Sequence, residues 1–214
     1  MPPAHKPIFC YVTERGALEA ALTPSSCPPG TPSPLPTRTL HDSIRRAAGA
    51  GATWIQIREK DLDARSLVDL ARFAVAETRE AGVRVFVNDR LDVALAAGAA
   101  GVHLGEKSLP LGAVIEWRRS TGRSDFEVGV SCHSLESARA AEQGGADYIF
   151  FGPVFATPSK AAYGAPQGIE RLREVCRSVE IPVLAIGGIN LENAGACLKA
   201  GAAGIAAIRM FQAQ

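Results

Sequence analysis

Eight short runs rich in β-branched and aromatic residues punctuate this chain, and they leave it few ways to fold. They read "IFCYVTE", "TWIQIR", "VRVFVND", "GVHLG", "EVGVSC", "DYIFFGPVF", "PVLAIGGI" and "GIAAIRMF", with amphipathic stretches between most of them. In "DARSLVDLARFAVAETREAG" the residues Leu67, Leu70, Ala71, Ala74 and Val75 share one helical face, and "GIERLREVCRSV" repeats the pattern. Strand, helix, strand in regular succession is the signature of a parallel sheet. With eight strands, closure into a single (β/α)8 TIM barrel over residues 1–214 is expected.

A weak internal repeat agrees. "AGAAGVHL" (97–104) and "AGAAGIAA" (200–207), with "GGADYIFF" (144–151) as a cousin, each place a helix-ending glycine just before a strand. Beyond Phe211 the sequence reads only "QAQ", so an eighth helix after the last strand is expected to be absent. The groove beside strands eight and one would then be open to a partner subunit or to the segment Thr23–Thr37. That segment holds six prolines in fifteen residues, which suits neither helix nor central strand, and is expected to be a flexible surface insertion after strand one.

Composition narrows the function. A formal net charge of +1 gives no support to non-specific nucleic-acid or membrane-surface binding, so an anionic ligand must be held by a local cluster of cations. The chain has no apolar run long enough to span a bilayer and no charged-then-apolar leader pattern. Its five cysteines are well separated, without a CxxC pair, which points to a reducing cytoplasm rather than a disulfide framework.

In a closed parallel barrel, ligands meet the carboxyl ends of the strands. Strand two ends "QIREK", and extended geometry would point Gln56, Arg58 and Lys60 the same way. Two cations and an amide suit a polyphosphate, although a solvated strand exit has the same look. Strand three ends "VNDR", where Asn88 and Asp89 could serve a metal–phosphate complex or simply cap the next helix. After strand five, Ser131 or Ser134 could bind an oxyanion. Ser134 could instead cap "LESARAAEQ", and His133 could carry protons or be an idle rim residue. His103 lies within a strand and is expected to be structural. Strand six ends "GPVFATPSK", setting Thr157 and Ser159 around a proline ahead of Lys160. Strand seven ends at Gly187 and Gly188, where a ligand can approach backbone amides.

"QIREK", "VNDRLDVALAAGAAGVHLG", "GVSCHSLESA", "FGPVFATPSK" and "IPVLAIGGI", in that order, resemble the thiamine phosphate synthase/TenI family from about Ile8 to Phe211. The resemblance implies a TIM barrel that joins a hydroxymethylpyrimidine diphosphate to a thiazole phosphate and releases diphosphate. It implies that Gln56, Arg58, Lys60, Asn88 and Lys160 hold the pyrimidine diphosphate, that Asp89 binds Mg²⁺, and that Ser131 contacts the diphosphate. Thr157, Ser159 and Gly188 would serve the thiazole phosphate. Cations and Mg²⁺ would neutralise the departing diphosphate while the thiazole nitrogen captures the pyrimidine methylene.

Two departures stand out. Where the synthases carry Gly-Gln-x-Asp after strand four, this chain has "GEKS", with Glu106 at the glutamine and Ser108 at the aspartate that would be a second metal carboxylate. Serine is a poorer Mg²⁺ ligand, so Glu106 would have to reach in, and Lys107 could meet phosphate directly. Arg209 stands where the family more often has serine, and would either strengthen phosphate binding or block the pocket. The alternatives are a metal-independent thiazole tautomerase of the TenI type, with His133 as proton carrier, or a non-catalytic phosphate-binding relative. A second copy of the chain could cover the groove beside strands eight and one, which would make the protein a homo-oligomer.

Overall fold

The computed structural model describes residues 6–22, 36–157 and 165–211. Eight parallel strands close into a barrel in which each pairs with its sequence neighbours and β8 returns to β1. The order is β1 (Ile8–Val12), α1 (Arg15–Leu22), α2 (Pro36–Gly49), β2 (Trp54–Ile57), α3 (Ala64–Thr78), β3 (Arg84–Asn88), α4 (Leu91–Ala97) and β4 (Gly101–Leu104). It continues through α5 (Leu111–Ser120), β5 (Glu127–Cys132), α6 (Leu135–Gln143), β6 (Tyr148–Phe151), α7 (Gly168–Ser178), β7 (Val183–Ile186), α8 (Ala194–Lys199) and β8 (Gly204–Ala207). A 3₁₀ turn, Arg209–Phe211, follows β8.

The expected barrel is present, with two adjustments. Two helices, α1 and α2, lie between β1 and β2, and the proline-rich stretch falls between them rather than directly after β1. Residues 23–35 of that stretch lie outside the described residues, whereas Pro36 and Thr37 open α2. Proline is tolerated there because a first-turn N–H has no intrahelical partner. Among the described residues no full helix follows β8. Beside the β8–β1 seam, Phe211 is buried with its ring 5.7 Å from that of Tyr11, and among the described residues no helix is long and apolar enough to cross a membrane.

Strand alternation sorts the side chains into two sets. Outward residues such as Ile55, Ile57, Val87, Val102, Ile149 and Ile205 are buried against the helices, meeting Leu67, Leu70, Leu172 and Val175. Local signals position those helices. Asp63 caps α3 by accepting from Arg65 N and Ser66 N, Ser134 and Ser137 form a reciprocal capping box on α6, and Gly98 ends α4 in the left-handed conformation.

Inward residues fill the barrel. The register sets Trp54 beside Cys10 and Arg84, Phe86 beside Gly101, Gly129 beside Tyr148, and Gly204 beside Leu184. At the amino-terminal end Arg84 pairs with Glu127 at 2.8 Å and lies over the rings of Trp54 and Phe86. Above them Trp54, Phe86, Tyr148, Phe150 and Leu184 form a buried aromatic-aliphatic plug. Gly129 makes room for Tyr148, because a Cβ there would overlap the phenol ring. Gly129→Ala is therefore expected to cost about 1–3 kcal/mol of stability through overpacking, read as a lower midpoint in urea unfolding.

Candidate active site

One inward residue from each strand forms the floor of a cavity of ≈ 660 Å³ at the carboxyl end of the barrel. Gln56, Asn88, His103 and Ser131 come from β2 to β5 and make a polar half. Phe150, Ile186, Ala206 and Val12, from β6 round to β1, make an apolar half. The rim carries Glu14, Arg58, His133, Thr157, Gly187, Gly188 and Arg209.

A chain of hydrogen bonds orders the polar half. Gln56 Nε2 donates to Asn88 Oδ1 at 3.0 Å, and Asn88 Nδ2 donates to Asp89 Oδ2 at 2.7 Å. Ser108 Oγ donates to Asp89 Oδ1 and accepts from Gly105 N at 2.6 Å. Asp89 has a φ of 63°, a left-handed conformation that is uncommon outside glycine. The helix-cap alternative for Asn88 and Asp89 does not hold, since Arg90 occupies the cap position of α4 and both side chains bond within this network.

His103 is buried, with Nε2 2.9 Å from Ser131 Oγ and Nδ1 3.3 Å from the Tyr148 hydroxyl. Burial pushes its pKa down to about 3, so it stays neutral. It is structural, as expected, and also part of the cavity floor. His133 sits at the rim with Nδ1 against the Gly152 carbonyl, which can only accept, so Nδ1 carries the proton. Its Nε2 faces the Glu106 carboxylate at 3.8 Å.

At the mouth of β2, Arg58 Nη1 meets Glu14 at 3.4 Å and Arg58 N donates to Thr13 Oγ1 at 2.9 Å. Glu59, only 6 % exposed, accepts from Arg15 N through Oε2 at 3.0 Å, while Oε1 is buried without a partner among the described residues. These contacts join the ends of β1 and β2 and hold Arg58 in the cavity wall. Glu14 was missed in reading the sequence, although it stands two residues beyond inward-facing Val12 and strand parity would have found it.

The structure brings Gln56, Arg58, Asn88, Ser131, His133, Thr157, Gly188 and Arg209 to one cavity. It does not bring Lys60 there. β2 ends at Ile57 and Lys60 lies exposed in a turn, so the alternation that would have aligned it with Gln56 and Arg58 has already stopped. Ser159 and Lys160 lie outside the described residues. Gly187 and Gly188 do line the cavity, but packing also requires them: both have positive φ, and a Cβ on either would run into the Pro153–Ala156 segment. Arg209 is exposed at the rim, and Lys107 is exposed beyond it.

Asp89 and Glu106 do not share a point as placed: Asp89 is engaged by Ser108 and Asn88, and Glu106 turns toward His133. Among the described residues no three His, Cys, Asp or Glu side chains converge as a metal cage. What remains is one carboxylate with hard-oxygen neighbours beside an anion-suited wall. That set fits a Mg²⁺ ion held by one carboxylate and substrate phosphate oxygens, and does not fit a cage made wholly of protein groups.

A closed parallel barrel whose carboxyl-end cavity joins cations, amides and hydroxyls to an apolar sector is a barrel built for phosphorylated ligands. The chain belongs to the thiamine monophosphate synthase family, whose profile matches residues 30–211. It is 46% identical over 171 residues to the thiamine-phosphate synthase of Moorella thermoacetica, covering 80% of each chain. It is 47% identical over 176 residues to that of Methanocella arvoryzae, covering 82% of this chain and 81% of the relative. Among solved structures, thiamine phosphate pyrophosphorylase from Pyrococcus furiosus superimposes with a TM-score of 0.76 at 37% identity, over 94% of this chain and 85% of that one.

The buried Glu59 gives a pH test. Desolvation raises its pKa above the usual carboxylate range, partly offset by hydrogen bonds from Thr13 and Arg15 N. A raised folded-state pKa means the folded chain binds more protons than the unfolded one above the ordinary glutamate range. Stability from this group is therefore full at lower pH and declines as pH rises through its folded value. Glu59→Gln abolishes that decline, so urea melts from pH 4 to 8 are expected to show the variant gaining on the parent as pH rises.

Proposed function

We propose that this chain joins a hydroxymethylpyrimidine diphosphate to a thiazole phosphate, releasing diphosphate and forming thiamine phosphate. The observation that carries the reading is one cavity with two sets of anion-suited groups around a shared apolar sector. Arg58, Asn88 and Ser131 would take the diphosphate. Thr157, Gly188 and Arg209 would take the single phosphate. Of the residues implied by resemblance, Ser159 and Lys160 are assigned to the site on sequence alone.

The chemistry breaks the bond between the pyrimidine methylene and a diphosphate oxygen, and the electron pair leaves with the diphosphate. Arg58 donates to that growing charge from a fixed position, because Thr13 and Glu14 hold it before the ligand arrives. Ser131 adds a hydroxyl, and Asn88, locked by Gln56, presents an amide edge. The apolar sector of Val12, Phe150, Ile186 and Ala206 excludes water from the electron-deficient methylene, leaving the thiazole nitrogen as the nucleophile at hand. Mg²⁺, held by Asp89 together with the diphosphate, would neutralise further charge on the leaving group.

One observation favours a second reading. Its support is the contact pattern of His133: with Nδ1 fixed by Gly152 and Nε2 opposite Glu106, the ring would suit proton transfer in a thiazole tautomerase. The two readings part experimentally. The synthase should release diphosphate when given both substrates and Mg²⁺, and chelation should stop it. Arg58→Ala is expected to lower kcat/KM by about 10²–10³-fold, the range for removing a donor from a developing oxyanion. No diphosphate release would overturn the proposal, and metal-independent aromatisation of the thiazole lost in His133→Gln would put the tautomerase in its place.

A further inference from the structure

The geometry points to a directional hydrogen-bond relay, Tyr148 to His103 to Ser131, that commits the Ser131 hydroxyl to donate into the cavity. Only the identity of the acceptor, a diphosphate oxygen, rests on the synthase reading. Ser131 is the group that touches the ligand, and His103 and Tyr148 are positioning residues acting through it.

The argument starts at the bottom of the chain of bonds. Tyr148 is 1% exposed, and its ring is packed against those of Trp54, Phe86 and Phe150 at 4.8, 5.3 and 5.6 Å between centroids. Among the described residues the one hydrogen-bonding neighbour of its hydroxyl is His103 Nδ1, at 3.3 Å. Burial holds the phenol protonated, raising its pKa well above the ordinary value. A buried O–H without an acceptor is costly, so Tyr148 must donate to Nδ1.

That fixes the imidazole. A neutral ring with Nδ1 as acceptor carries its proton on Nε2, which then donates to Ser131 Oγ at 2.9 Å. The rings of Phe150 and Tyr148, 4.2 and 5.6 Å from that of His103, hold its orientation. With its oxygen engaged by Nε2–H, Ser131 keeps its own proton for the cavity it lines. The reverse order would leave the Tyr148 proton without an acceptor and turn the Ser131 proton inward, presenting only a lone pair to the ligand. An anion needs the donor, and a hydroxyl bonded to an ionised oxygen makes a stronger bond than a neutral pair.

Two measurements on the full chain decide it. Long-range ¹H–¹⁵N spectra of the four histidines, with His103→Asn to assign the peak, should show His103 as the Nε2–H tautomer. An Nδ1–H tautomer or an imidazolium overturns the relay. Calorimetric titration with inorganic diphosphate and Mg²⁺ then tests its consequence. Ser131→Ala is expected to weaken binding about tenfold, the loss of one hydrogen bond to a charged group. Tyr148→Phe should weaken it by a smaller factor, and should cause no further loss once Ser131 is alanine. Equal loss in both backgrounds would make Tyr148 a general packing residue and end the proposal. If the parent protein binds no diphosphate while His103 shows the Nε2–H form, the synthase reading fails and the relay stands.

Discussion

Everything in this molecule depends on the two-residue period of its strands being kept in register around a closed ring. Because β1 to β8 pair in sequence order with no break, each inward residue has inward neighbours on both sides. The same parity that buries Ile55 and Ile57 against the helices turns Trp54 and Gln56 inward. In β2 to β5 a slip that turned the preceding residue inward would exchange Gln56, Asn88, His103 or Ser131 for Ile55, Val87, Val102 or Val130. The close fit of Tyr148 over Gly129 opposes such a slip between β5 and β6.

On that ring the site is layered by height. An ion pair and aromatic plug fill the amino-terminal end, and the Tyr148 hydroxyl links the plug to the first polar layer through His103. Above lie Gln56, Asn88 and Ser131, and above those the rim cations. Each upper group is oriented by one below or beside it: Ser131 by His103, Asn88 by Gln56, Arg58 by Thr13 and Glu14. Groups held before the ligand arrives need little reorganisation as charge develops, which is where a reaction governed by position and field gains its rate.

Much of this was legible in the sequence, for physical reasons that also mark where legibility ends. The strands and the α3 face followed from period 2 and period 3.6 patterns, which burial enforces. Gln56, Arg58, Asn88, Ser131 and Gly188 could be placed because each lies on or just beyond a strand end. Lys60 could not, since its position depends on where β2 gives way to a turn, and the chain carries no marker for that. The direction of Glu106 toward His133, and the use of Ser108 to hold Asp89 in a left-handed conformation, are contacts between loops. No periodicity encodes them. His103 was read as a structural residue and is one, yet its bond to Ser131 joins β4 to β5 and is invisible along either strand.

The aromatic plug has a kinetic corollary. It fills the barrel from below, so among the described residues the cavity is reached from the carboxyl end of the strands. On the synthase reading, two ligands that meet inside it would enter from that same end, the deeper one first. Whatever leaves the floor must then pass the product or wait for it. On that reading, the depth of the cavity would then set an order of arrival and departure as well as a place for bond-breaking.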